Sequence, residues 1–171
     1  YDEKAKEVVE KSKDIFIFPR FHQLSVVKDA LSYAKESGPG HNYLVQHSAG
    51  SGKSNSIAWL VHQLASLYES KDAKKRIFDS IIVLTDRRIL DRQLQNTIKQ
   101  FEQTAGVVEA IDMNSKQLKK ALETGKDIII STIQKFPVIS GSMIALRGKN
   151  FAVIVDEAHS SQSGESAKHV K

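Results

Sequence analysis

The sequence contains no cysteine. That absence removes disulfide scaffolds and thiolate metal sites together. No stretch approaches the roughly 18 consecutive apolar residues that a membrane-spanning helix needs, so no membrane association is expected. There is no internal repeat and no low-complexity run. Tyr1–Lys13 lacks the apolar core of a secretory signal, and the first residue is Tyr1 rather than methionine. The chain therefore reads as a piece of a longer, cytoplasmic protein.

What is present fits one ordinary domain or one lobe of a larger machine. The chain has 171 residues, of which 40% are hydrophobic and 26% charged, enough to build a core and too apolar for a disordered tail. Lysine and arginine number 25 against 20 acids, a net charge of +5. Such an excess permits a polyanionic partner without requiring one.

Short apolar runs alternate with helical patterns. The runs are Tyr43–Val45, Ser80–Thr85, Ile128–Thr132 and Phe151–Val155, with Val107–Ile111 weaker. Continuous stretches such as Ile81–Leu84 and Ile128–Ile130 suit strands buried on both faces. Between them, helical spacing links Leu24, Val27, Leu31 and Ala34; Ile57, Leu60, Val61, Leu64 and Tyr68; Leu90, Leu94, Ile98 and Phe101; and Leu118, Ala121 and Leu122. Gly38 and Gly125 stand where helices should stop. The alternation predicts an α/β fold, a mostly parallel sheet with helices on both faces. Residues 1–19 are expected to form a linker segment, ended at Pro19, and 20–171 the domain. Tyr68–Phe78 and Thr104–Val107 are expected to be surface loops. Trp59 and Tyr68 are expected in the core.

His47-Ser48-Ala49-Gly50-Ser51-Gly52-Lys53-Ser54 lies between an apolar run and an amphipathic helix pattern. In that setting glycines let the backbone wrap phosphate oxygens, and the helix start adds its positive dipole end. Lys53 would reach the β and γ phosphates and the Ser54 hydroxyl would sit on Mg²⁺. The general pattern wants glycine where this chain has His47. A glycine-rich surface turn is the plainer alternative.

Asp156, Glu157, Ala158 and His159 follow the last apolar run. Ligands of α/β sheets sit at the carboxyl ends of strands, so Asp156 would face Ser54 and the metal. Glu157 would orient or deprotonate an attacking water. His159 is a coupling candidate, because no second ligand stands at zinc spacing beside it. The alternative is a solvated strand end. Lys53, Asp156 and Glu157 are thus the candidate catalytic residues. Ser48–Ser54 are the candidates for binding ATP, with Ser54 and Asp156 for Mg²⁺.

These motifs resemble the first RecA-like, P-loop NTPase lobe of superfamily 2 helicases and translocases, in which the first loop position is often not glycine. Arg20-Phe21-His22-Gln23 resembles that superfamily's glutamine motif, which implies that Gln23 contacts the adenine. More narrowly, Phe18–Gln23, Gln46–Ser54, Leu84-Thr85-Asp86-Arg87-Arg88-x-Leu90-Asp91-x-Gln93 and Asp156–Gln162 resemble the motor (R, restriction) subunit of type I restriction–modification enzymes. The resemblance spans roughly Phe18 to Ala167. It implies a DNA translocase belonging to a type I site-specific deoxyribonuclease, with methylation and specificity subunits as partners. It also implies that the family's nuclease domain and second lobe lie outside this chain.

Thr85, Asp86, Arg87 and Arg88 follow one strand pattern, and Ser131, Thr132, Gln134 and Lys135 another. By resemblance they face double-stranded DNA, with Thr85, Arg87, Arg88 and Thr132 the candidate contacts. Helix capping by Thr85, Asp86 and Thr132 is the alternative. The basic groups Lys71, Lys74, Lys75, Arg76 and Lys116, Lys119, Lys120 read as solvated faces. His22, His41, His62 and His169 have no metal spacing. Two other functions are open: a different superfamily 2 motor, such as an RNA helicase or chromatin remodeller, and a nucleotide-binding module that touches no nucleic acid.

Overall fold

A computed structural model describes residues 17–70, 72–86, 88–112, 114–135 and 146–157, the side chains of 88–91 excepted. Helix α1 spans Phe21–Ser37 and α2 Lys53–Ala65. Strand β1, Ser80–Thr85, leads to α3, Arg88–Gln100. Strand β2, Val108–Ala110, leads to α4, Ser115–Thr124, and then to β3, Ile128–Thr132. A single 3-10 turn, Ile133–Lys135, follows β3, and β4 is Phe151–Val155.

The four strands form one sheet in the order β2-β3-β1-β4, parallel throughout. Successive residues of a strand point to opposite faces, and here both faces are covered. Ile81, Val83, Ile128 and Ile130 pack with Ile57, Val61 and Leu64 of α2 and Leu94 and Ile98 of α3. Ile82, Leu84 and Ile129 pack with Leu118, Ala121 and Leu122 of α4. The six residues of β1 are all buried, which is why that stretch reads as a continuous apolar run rather than an alternating one.

Helix limits follow local chemistry. Pro19 and the extended Arg20 precede α1, and Gly38 ends it at φ 70°, its N–H donating to Ala34 O at 3.0 Å. Asn114 caps α4 by accepting from Gln117 N at 3.1 Å, and Gly125 ends that helix in the left-handed region. Among the described residues no helix is long and apolar enough to cross a membrane.

Two expectations need correction. Tyr43–Val45 is not a strand: no described strand pairs with it, and Tyr43, Leu44 and Val45 are all exposed. Three apolar residues give a strand only where a neighbour meets their backbone groups, and among the described residues β4 pairs with β1 alone. Tyr68 is not on the stripe of α2, which stops at Ala65. It forms an isolated bridge with Arg76 and is exposed. Trp59 is half-buried and meets Phe101 edge-on, centroids 5.5 Å apart. The 68–78 connection is largely exposed but buries Ile77 and Phe78 at its end.

Candidate functional site

The loop before α2 turns on two glycines. Gly50 and Gly52 adopt φ of 71° and 81°, the region that costs a side chain most. Ser51 N donates to Ser48 O at 3.3 Å, and Asn55 N and Ser56 N donate to Gly52 O at 3.1 and 3.3 Å. Ser48, Ala49 and Gly50 are exposed, and Ser54 is half-buried in the first turn of α2. A helix start with open amides on its loop side favours an anion.

Across from it, β4 delivers the acids. Asp156 N donates to Leu84 O at 2.9 Å, so the ladder between β4 and β1 runs one residue past the strand. Glu157 then takes a positive φ of 55°, rare without glycine, and its N–H donates to Asp156 Oδ1 at 3.0 Å. The turn aims both carboxylates at Lys53. Its Nζ lies 3.3 Å from Asp156 Oδ1 and donates to Glu157 Oε1. Burial pulls the ammonium down, but the bond to Glu157 and the charge of Asp156 prevail, so Lys53 titrates above an ordinary lysine. The candidates for phosphate, water and metal chemistry thus meet at one point.

The oxygen donors here are Asp156 and Glu157, and Ser54 follows Lys53 in the first turn of α2. All are hard ligands, which suits Mg²⁺ held together with a substrate's phosphates. Among the described residues no group of three or more His, Cys, Asp or Glu could cage a metal without such help.

Helix α1 leans on the loop through its first turn. Gln23 is buried, with 3% exposure. Its Nε2 donates to Ser51 O at 3.2 Å and Gly52 O at 2.9 Å, while its Oε1 accepts from Arg20 N at 2.8 Å. A Cβ at Gly52 would come within 2.5 Å of that Nε2. Beside it, His22 Nε2 is 3.1 Å from Ser51 O, and His47 Nδ1 is 3.2 Å from Ser51 Oγ. The two imidazoles meet edge-on, centroids 5.8 Å apart. A cleft of about 340 Å³ opens here, lined by Phe18, Arg20, Gln23 and Asn55 and by the loop at Gly50–Gly52. Sequence reasoning did not find Phe18 or Asn55 as lining residues, nor the bonds of His22 and His47, because none of these belongs to a local pattern.

At the same sheet edge Thr85 and Thr132 are register partners, 1% and 5% exposed. The Thr85 hydroxyl is fully buried, so a contact from that position would be through backbone. Gln134 Nε2 donates to Asp86 O at 3.0 Å and to Asp86 Oδ1 at 3.2 Å, tying the loop after β1 to the turn after β3. The Asp86 carboxylate thus has an intramolecular partner. Of the basic residues, Lys75 pairs with Glu69 at 2.7 Å and Arg76 with Asp127 at 2.5 Å. Arg87, His159, His169, Lys71 and 1–16 lie outside the described residues, as does the Arg88 side chain.

Comparison with known proteins bears on the family and the fold. The family model described as SWI2/SNF2 ATPase matches residues 22–171. The type I restriction enzyme MjaIXP endonuclease subunit of Methanocaldococcus jannaschii is 28% identical over 184 aligned residues, 98% of this chain and 17% of that protein. The structure of a nuclease-deletion mutant of the Type ISP restriction-modification enzyme LlaGI, in complex with a DNA substrate mimic, superposes with a TM-score of 0.57. It is 18% identical and covers 82% of this chain and 15% of that one, a likeness of fold. The chain thus spans under a fifth of either protein. A shorter likeness, 27% over 88 residues and 52% of this chain, is to the cell cycle protein GpsB of Streptococcus pyogenes. The parallel sheet and the match over residues 22–171 favour the ATPase kinship. The chain belongs to the SWI2/SNF2 ATPase family.

Proposed function

We propose that this chain is the ATP-binding lobe of a double-stranded DNA translocase, in the motor subunit of a type I restriction endonuclease that works with methylation and specificity subunits. One observation carries the reading: Lys53, at the start of α2, is held against Asp156 and Glu157 at the end of β4. A glycine-rich turn alone has no reason to share a salt bridge with a strand end 104 positions further along the chain. The names of the M. jannaschii and LlaGI relatives support the restriction-enzyme context.

The chemistry follows from the groups present. An incoming triphosphate replaces the carboxylates as partner of Lys53, which then offsets charge on the β and γ phosphates. Asp156, once released from Lys53, and Ser54 would hold Mg²⁺, which would supply charge neutralisation at the phosphate oxygens. Glu157 orients the attacking water and accepts its proton. Gly50, Gly52 and Lys53 present backbone N–H groups, while the Ser51 N–H bonds Ser48 O within the turn and Ser48 and Ala49 shape the loop. The base enters the cleft beside Gln23. The loops after β1 and β3 carry the DNA-facing backbone, and His159 couples the two sites.

The test is ATP turnover by the full-length protein with duplex DNA, with RNA and with neither. Stimulation by duplex DNA alone, lost in Glu157→Gln, is expected. Equal turnover under all three conditions would remove the DNA motor and leave a nucleotide-binding module; stimulation by RNA would point to a helicase of another kind.

A further inference from the structure

We infer that His22 and His47 are positioning residues for the phosphate loop, acting through Ser51; this rests on the loop's role as the nucleotide cradle. Ser51 is gripped at two points. Its carbonyl accepts from His22 Nε2 at 3.1 Å and from Gln23 Nε2 at 3.2 Å, and its hydroxyl meets His47 Nδ1 at 3.2 Å. A carbonyl oxygen only accepts, so His22 carries its proton on Nε2 in this arrangement.

The consequence lies in the peptide planes. In a trans peptide the carbonyl and the following N–H point in opposite directions. Drawing Ser51 O towards α1 therefore turns the Gly52 N–H away from α1. Drawing Gly52 O the same way, to Gln23 Nε2 at 2.9 Å, does likewise for the Lys53 N–H. Two successive amides are thus aimed together at the side of the loop where an anion would sit. The grip matters because Ser51 lies between Gly50 and Gly52, both at positive φ. Glycines on either side leave the Ser51 peptide free to rotate unless something holds it.

His47 occupies the position where such loops usually carry glycine. Its ring packs edge-on against His22, centroids 5.8 Å apart and planes at 72°, and it holds the Ser51 hydroxyl. It therefore locks both the rotamer of His22 and the side chain of Ser51. The departure from the common pattern is an added constraint and not a defect.

Binding of ATP to the full-length protein by titration calorimetry tests this, with nucleotide-free thermal denaturation alongside. His22→Phe keeps a ring against His47 but removes the donor. It is expected to raise the Kd for ATP by roughly 3–10-fold, the loss of one hydrogen bond. His22→Gln restores an N–H donor at similar reach and should bind within about twofold of wild type. His47→Gly, which completes the common glycine pattern, should weaken binding, and less than additively in the His22→Phe background because both act on Ser51. In turnover the effect should fall on KM for ATP more than on kcat. Wild-type affinity in His22→Phe, weakness in His22→Gln equal to that in His22→Phe, or tighter binding by His47→Gly would each overturn the inference. A folded wild-type protein that binds no ATP would instead overturn the nucleotide reading and take this inference with it.

Discussion

Gly52 is squeezed between a backbone requirement and a side chain. Its φ of 81° disfavours any Cβ, and Gln23 Nε2 would stand 2.5 Å from one. Gly52→Ala is expected to cost stability by about 1 kcal/mol or more, read as a lowered melting temperature. In a Gln23→Ala background, itself destabilised by the loss of three hydrogen bonds, the same substitution should cost less, leaving only the backbone strain. At Lys53 the expectation concerns charge. Lys53→Ala should weaken ATP binding at least about tenfold by calorimetry, as charge-assisted bonds to phosphate are lost. The pH dependence has a definite sign. Because its pKa in the fold is raised above 10.5, the contribution of the Lys53 ion pairs is complete below that value and fades as pH climbs through the raised one. The stability difference between wild type and Lys53→Met should therefore be flat through the neutral range and shrink only in strong alkali.

Among the described elements, α4 supplies the helical cover of the second sheet face, through Leu118, Ala121 and Leu122. Its start depends on the Asn114 side chain, so Asn114→Ala should lower stability by about 1 kcal/mol in a urea titration. The Gln134–Asp86 tie joins two loops that would otherwise move separately. Gln134→Ala is expected to reduce duplex-DNA stimulation of turnover while leaving ATP affinity unchanged; altered ATP affinity would argue against that separation of roles. The strands β1, β3 and β4 were legible in the sequence to the residue; β1 and β3 are buried on both faces, which demands a nearly uninterrupted apolar run, whereas β4 is only half-buried and shows Val153 to solvent. So were the glycine stops of α1 and α4. The run at Tyr43–Val45 misled because a strand is a property of two partners and the sequence shows only one. The cradle and the acids were legible as local motifs. Their support was not: Ser51 meets His22 across 29 positions and Asp86 meets Gln134 across 48, and no local spacing encodes such contacts.

At the scale of the whole molecule, β4 is bonded to β1 on one side and, among the described residues, to no strand on the other. Val153 is 40% exposed near the middle of that edge. Unpaired backbone beside an apolar side chain is a template for a further strand. A polypeptide of residues 1–171 on its own is therefore expected to self-associate with rising concentration, as sedimentation velocity would show. Val153→Lys should shift it towards monomer with little change in melting temperature, since the substituted side chain already faces solvent. The practical limit on handling this lobe alone would then be set by a single sheet edge, whatever its net charge: repulsion of +5 is spread over the surface, whereas strand addition needs only one short strip left unguarded.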